Sequence, residues 1–313
     1  PFFDYHVLSD TDHARIAAKE EAAVALWKAA RPGVAIAYRR REDNWGYKAG
    51  NIAEFLNAHQ GEYEFFLPLD ADSVMGADAV LRLVRVMEAS PEIGMLQSLV
   101  AGLPSKPLLR SYTLGAAWGQ AEGGPYCGHN VLIRADPCRE HCMLPLLPGN
   151  GPLSGYVMSH DQLEATLIRR AGYEVRVLAE ESDSFEENPP SLADFIRREL
   201  RWANGNMQYL RLLGLPGLLP MSRLQLFLAI QMYAAAPAWM AFVLTLWLAY
   251  WVPIALIFGA PMLIALSLAI PIAVITTHPV MGGLTLNTGL FDIPEDRAVD
   301  APKSGIAQPA DII

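Results

Sequence analysis

Between Arg223 and Asp292 the chain carries no Asp, Glu, Lys or Arg, although 18% of its residues are charged. A surface helix of a soluble protein keeps one polar face, and a stretch that is apolar all round needs another solvent. About twenty such residues per helix suffice to cross a bilayer, and two spans fit, residues 232–250 and 253–277. Pro237, Pro253, Pro261 and Pro271 kink or bound them, which neighbouring helices tolerate by re-satisfying the backbone. A buried core helix pair is the alternative. Arg197, Arg198, Arg201, Arg211 and Arg223 lie just before the first span, so the positive-inside rule puts the folded part in the cytoplasm. Two crossings return residues 280–313 to the same side; rich in Pro, Ala, Asp and Gly and without periodicity, they are expected to be disordered. The expected organisation is a folded domain over 1–222, a membrane region of about two helices over 223–279, and a tail over 280–313.

Ahead of the membrane region the pattern alternates. Short apolar runs at 2–8, 34–38 and 63–69 read as strands, and 12–30 and 77–89 as helices, while a basic, Gly-bearing loop over 39–51 leads into a further helix to about His59. Asp10 or Thr11 is the expected cap of the first helix. This β-α-β-α-β-α order predicts an α/β fold with a mostly parallel sheet flanked by helices. Farther on, strands are expected at 94–100, 126–134 and 173–178, and helices at 108–121 and 159–171. A last helix runs from Ser191 to about Leu212, with Ser191 as cap and Asp194 three residues on.

The net charge of −9 argues against a nucleic-acid partner, which needs a basic face. Cys127, Cys138 and Cys142 suit a reducing compartment better than a disulfide framework. Cys138 and Cys142 with His141 lack the second ligand pair a structural zinc site requires. The chain begins Pro1-Phe2-Phe3 with no basic segment leading into an apolar one, so no signal peptide is expected, and it reads as a piece of something longer.

Asp70-Ala71-Asp72 ends the third apolar run. Carboxylates at a strand tip can converge on one divalent cation and the phosphates it holds, since Mg²⁺ takes one or two carboxylates plus substrate oxygens. α/β sheets bind nucleotides beyond the carboxyl ends of their strands. The bland alternative is an acidic turn capping the helix that starts near Asp78. Three further signals accompany it: Asp10 at the end of the first strand, Ser159-His160-Asp161 opening a helix, and Arg198-Glu199-Leu200-Arg201-Trp202 ahead of the membrane.

Together these residues resemble the processive, membrane-embedded glycosyltransferases of family 2, and Lys48-Ala49-Gly50-Asn51 matches a loop of that group. Val7-Leu8-Ser9-Asp10-Thr11, Gly128-His129-Asn130, Arg169-Arg170-Ala171-Gly172 and Arg201-Trp202 with Gly205-Asn206 are similar to the glucans biosynthesis glucosyltransferase H family. The resemblance implies a GT-A nucleotide-sugar-binding domain followed by transmembrane helices in the bacterial inner membrane, multi-pass, with its catalytic domain cytoplasmic. It implies transfer of glucose from UDP-glucose to a growing β-1,2-glucan of the periplasm, with inversion and with Mg²⁺ (or Mn²⁺). Asp161 would be the catalytic base and Asp72 the metal ligand. Asp10, Lys48, Asp70 and Arg201 would bind the donor nucleotide, and Trp202 would stack under the acceptor sugar. Implied partners are the β-glucan acceptor, the lipid bilayer and periplasmic glucan-processing proteins.

The chain departs from that pattern in the missing first strand, the few spans, and Arg198 where cellulose synthases have Gln. Other readings remain open: a cellulose-like β-glycan synthase, a polyprenyl-phosphate glycosyltransferase, or an inactive nucleotide-sugar-binding scaffold. Asp161 could instead be only a helix cap, Arg201 an interface residue, and Glu164 a partner of either Asp161, Arg169 or Arg170.

Overall fold

The computed structural model describes residues 3–103, 123–187, 189 and 191–258. They divide into two compact units, one running through Leu228 and the other beginning at Ala229. The expected helix at 108–121, most of the second span and the tail lie outside the described residues.

The first unit opens with β1 (Asp4–Ser9), α1 (Ala14–Ala30) and β2 (Ala35–Arg40), the two strands pairing in parallel with Asp4 opposite Ala35. Next come α2 (Tyr47–Ala58), β3 (Phe65–Phe66), β4 (Ser73–Met75) and α3 (Ala77–Ala89). They are followed by β5 (Ile93–Leu103), β6 (Val131–Arg134), α4 (Ala135–His141), α5 (Asp161–Arg170), β7 (Glu174–Glu187) and α6 (Leu192–Gln208). The larger sheet runs β3-β6-β5-β7-β4.

That sheet is mixed, which corrects the expectation of a mostly parallel one. Only β5 and β7 pair in parallel; β3–β6, β5–β6 and β4–β7 are antiparallel. An apolar run reports that a strand is buried on both faces and says nothing of its direction. Two expected strands are also shorter than their apolar runs. Pro68 offers no N–H to a ladder, so β3 stops at Phe66, and the Pro68 carbonyl instead accepts from the Asn130 N–H at 2.9 Å. Gly128 and Asn130 adopt left-handed backbone (φ +87° and +52°), which breaks extension until Val131.

Helices cover both faces of the sheet. Successive residues of β5 and β6 point to opposite sides: Met95, Val131 and Ile133 join one core with Phe55, Tyr126 and Ile168, while Leu96 and Leu132 join the other with Leu83 and Met87. α3 buries Ala79, Leu83 and Met87, one turn apart, which makes it a one-sided helix whose bounds match the sequence pattern. Its N-cap is Gly76 with no side-chain bond, so neither Asp70 nor Asp72 caps it. α6 is capped as expected, the Ser191 hydroxyl accepting from the Asp194 N–H at 3.2 Å. α1 is not: His13 holds the cap position without a side-chain bond, because Asp10 is engaged elsewhere.

α7 (Pro220–Phe258) runs through Pro237 and Pro253, where the sequence suggested a kink or a boundary. Within it, Pro220–Val252 is the one helix among the described residues long and apolar enough to cross a membrane.

Candidate active site

The site begins where β1 ends. Arg41, just past β2, donates from Nε and Nη2 to the two carboxylate oxygens of Asp10, each at 2.8 Å, and its side chain is 2% exposed. This planar fork on a carboxylate is the strong form of an ion pair. Asn51 Nδ2 adds a bond to Asp10 at 2.6 Å, and Arg41 also donates to the carbonyls of Trp45 and Tyr47. Asp10 is therefore the hub that ties the 41–51 loop to the sheet, with both oxygens already bonded inside the protein.

That loop presents Lys48 at the start of α2. Lys48 Nζ donates to Asp70 and, at 2.8 Å, to the Gly128 carbonyl. Gly46 and Tyr47 both carry positive φ (65° and 52°), and so turn the chain sharply into the helix. Asp70 accepts the Ser73 N–H on its backbone carbonyl at 3.0 Å, a tight turn that leaves Asp72 exposed at its tip. The turn is braced from below. Buried His129 has Nδ1 3.2 Å from the Ser73 hydroxyl and Nε2 3.7 Å from Glu186. Burial raises the Glu186 pKa; the charges of His129 and Arg198 oppose this, while those of Asp72 and Asp70 add to it.

Asp72 opens onto a cleft of about 510 Å³ lined by Glu187, Pro189, Asp194, Arg197, Arg198 and Arg201. The three arginines come from the second and third turns of α6. Arg198 stacks its guanidinium on Trp202, 4.6 Å from the ring centroid, and on Phe195 at 5.4 Å. Trp202 remains 38% exposed. The structure thus brings Asp72 and Arg201, far apart in sequence, to one cleft, with Trp202 one residue along the helix.

Asp161 stands outside that lining. It is the first residue of α5, behind the cap position of His160, and its carboxylate accepts from the Ser159 hydroxyl at 3.1 Å. The alternative that it is merely the N-cap does not match this placement. A Cβ built on Gly128 would lie 3.7 Å from the Asp161 Cβ, so Asp161 shares the Gly128 turn with Lys48. The second half of α6 clamps the same segment: Gly205 packs so closely on Ser159 that an added Cβ would come within 2.6 Å of its backbone nitrogen. Tyr209 beyond it donates to the Ser159 carbonyl at 2.9 Å. One helix therefore joins the arginine cleft to the Asp161 turn.

Cys138 and Cys142 are buried free thiols inside the core, with Cys142 Sγ directed at the Glu164 carbonyl. No group of three or more His, Cys, Asp or Glu side chains forms a metal cage among the described residues. Sequence reasoning passed over Arg41 and Asn51 as the holders of Asp10, although Asn51 stands in the quoted Lys48-Ala49-Gly50-Asn51 run and Arg41 ends the basic run Arg39-Arg40-Arg41. Glu186 had no local signal, being one of several acids late in a strand longer than its apolar pattern.

The chain is similar to known proteins. Residues 124–275 match the family model described as glycosyl transferase family group 2. Proteins called glucans biosynthesis glucosyltransferase H are similar over most of the chain. That of Xylella fastidiosa is 38% identical over 250 residues, covering 76% of this chain and 39% of the relative. That of Vibrio cholerae is 39% identical over 256 residues, covering 78% and 36%, and that of Caulobacter vibrioides 37% over 249, covering 76% and 37%. The chain spans less than two-fifths of the length of these relatives. A crystal structure of S. aureus TarS 1–349 with UDP-GlcNAc aligns at a TM-score of 0.47 and 12% identity, over 74% of this chain and 63% of that one. The chain is a homologue of the glucans biosynthesis glucosyltransferases H and carries a family group 2 glycosyltransferase domain.

Proposed function

We propose that this chain is the catalytic part of a membrane-bound, inverting GT-A glucosyltransferase that transfers glucose from UDP-glucose to the end of a β-1,2-glucan. The observation that carries the reading is the meeting of Asp72 and Arg201 at one cleft, joined through α6 to the Asp161 turn. In the transfer, an acceptor hydroxyl oxygen bonds to the anomeric carbon, the bond from that carbon to UDP breaks, and the hydroxyl proton passes to the Asp161 carboxylate. Attack from the face opposite the leaving group inverts the centre and gives a β-linkage. Arg201, with Arg197 and Arg198 beside it, supplies fixed positive charge where negative charge develops on the departing diphosphate.

Asp72 fits a divalent cation of the Mg²⁺ or Mn²⁺ type: an exposed carboxylate at a cleft mouth, leaving the remaining positions to substrate phosphates and water, is how Mg²⁺ is usually held. When bound, such an ion supplies charge to the leaving group. Lys48 and Asp70, paired over the Gly128 carbonyl, wall the donor side, and Asp10 sets their loop through Arg41. Trp202, one face covered by Arg198, offers its free ring surface to the apolar C–H face of the acceptor sugar. α7 has the length and composition of a membrane span, and the arginines before it favour an inner-membrane protein with a cytoplasmic catalytic domain.

The test is release of UDP from UDP-glucose by the full-length protein in native membranes, with linkage analysis of the glucan formed. Metal-dependent release with a β-1,2-linked product supports the reading; donor binding without turnover, or a product on a polyprenyl phosphate, refutes it.

A further inference from the structure

Beneath Asp161 lies a second, buried pair of ionisable groups. Glu164 follows His160 by one helical turn, and His160 Nδ1 donates to Glu164 Oε2 at 3.1 Å. The two side chains are only 12% and 7% exposed. A lone carboxylate at that depth is costly, whereas one facing an imidazolium is compensated. The arginines that the sequence offers as alternatives are not its partners. Arg169 donates instead to Gln225 Oε1 at 2.8 Å and to the Gly124 carbonyl, and Arg170 is exposed.

The other edge of the imidazole touches the site. A Cβ on Gly128 would lie 3.7 Å from His160 Nε2 and equally far from the Asp161 Cβ, so both residues pack on the same left-handed glycine. The carbonyl of that glycine holds Lys48. His160 is thus a floor shared by Asp161 and the Lys48–Asp70 pair. The charged groups facing it are Glu164 and Asp161 from α5 and Lys48 from α2, with the buried Tyr126 ring edge-on at 6.2 Å. Tyr209, from the turn after α6, faces the two carboxylates and bonds the Ser159 carbonyl.

We propose that His160, clamped by Glu164, is a positioning residue that fixes the Gly128 turn on which Asp161 packs, and through that turn sets where the Asp161 carboxylate lies. The proposal rests on Asp161 being the base. Burial lowers the imidazole pKa, but Glu164 and Asp161 outweigh it against a smaller opposing effect of Lys48, and the net direction is upward. The protonated imidazole and Glu164 then form a neutral pair. Loss of the proton as pH rises leaves Glu164 buried and uncompensated, which loosens the turn and gives turnover an alkaline limb. Glu164→Gln accepts from neutral imidazole equally well, so it erases that limb.

The experiment measures UDP release from UDP-glucose across pH by full-length protein in membranes, for His160→Gln, Glu164→Gln, the double variant and Asp161→Asn. UDP binding reports folding. His160→Gln strands Glu164 and is expected to lower kcat about 10- to 100-fold, the cost of a misplaced reacting group, with a smaller rise in the KM for UDP-glucose because the same turn holds Lys48. Glu164→Gln flattens the alkaline limb, and the double variant, with no stranded carboxylate, recovers most of the activity lost in His160→Gln. Unchanged kcat and pH profile in both single variants, or losses that simply add in the double, overturn the proposal. Turnover retained by Asp161→Asn sinks the base assignment itself; an inactive Asp161→Asn beside indifferent His160 and Glu164 variants sinks only the positioning role.

Discussion

Replacing Arg41 by Ala removes the two 2.8 Å bonds to Asp10, those to the Trp45 and Tyr47 carbonyls, and a 3.7 Å approach to Glu54. Breaking one side of a buried ion pair costs about 3–5 kcal/mol, mostly because the other charge is left unpaired. Asp10 is 29% exposed and keeps its bond from Asn51, which places the loss at the low end, about 3 kcal/mol. In a folded unit of this size that corresponds to a fall in Tm of roughly 6–12 °C. Thermal unfolding of the full-length protein in detergent, at fixed protein concentration, measures it. Arg41→Lys keeps the charge but not the fork and should recover less than half the loss. The decisive comparison is a double-mutant cycle with Asp10→Asn. If the pair acts as described, the double variant is more stable than the sum of the singles by about 2 kcal/mol; additivity within about 0.5 kcal/mol refutes the reasoning. Because the same loop carries Lys48, Arg41→Ala should also raise the KM for UDP-glucose, and an unchanged KM would show that the hub does not reach the donor.

Two further perturbations test the frame around the site. Gly205→Ala forces a methyl against the Ser159 backbone, and overpacking of this kind costs about 1–3 kcal/mol; turnover should fall with it, and full activity in the variant would show that α6 does not set the Asp161 turn. Burial, and then the hydrogen bond to Asp4, push the Tyr63 hydroxyl up to about 12 from 10.0. A folded pKa raised above the unfolded one contributes stability that is present below about pH 10 and lost as pH climbs toward 12. The unfolding midpoint should drop across that window, and Tyr63→Phe should blunt the drop; an identical profile in the variant contradicts it.

What could be read from the chain follows from how local each signal is. The bounds of α3 were legible because Ala79, Leu83 and Met87 recur at helical spacing, and the start of α6 because Ser191 and Asp194 form a cap within four residues. Strand direction was not, since an apolar run packs equally well either way, and β7 runs to Glu187 because its polar end pairs with β4, a partner far away in sequence. The motif residues were all visible in the chain, but their contacts were not. Arg41 reaches Asp10 across a parallel strand pair, and Glu164 turns to His160 over two nearer-looking arginines. Long side chains choose partners in three dimensions, which spacing alone does not encode.

The account turns on Asp161 taking the acceptor's proton beside the Asp72–Arg201 cleft. Its most direct test is the rate of UDP release from UDP-glucose by full-length Asp161→Asn in native membranes, at saturating acceptor. Removal of a general base predicts a loss of about 10²- to 10⁴-fold with UDP binding intact. Turnover within about twofold of the unaltered enzyme, far short of any general-base contribution, would contradict it.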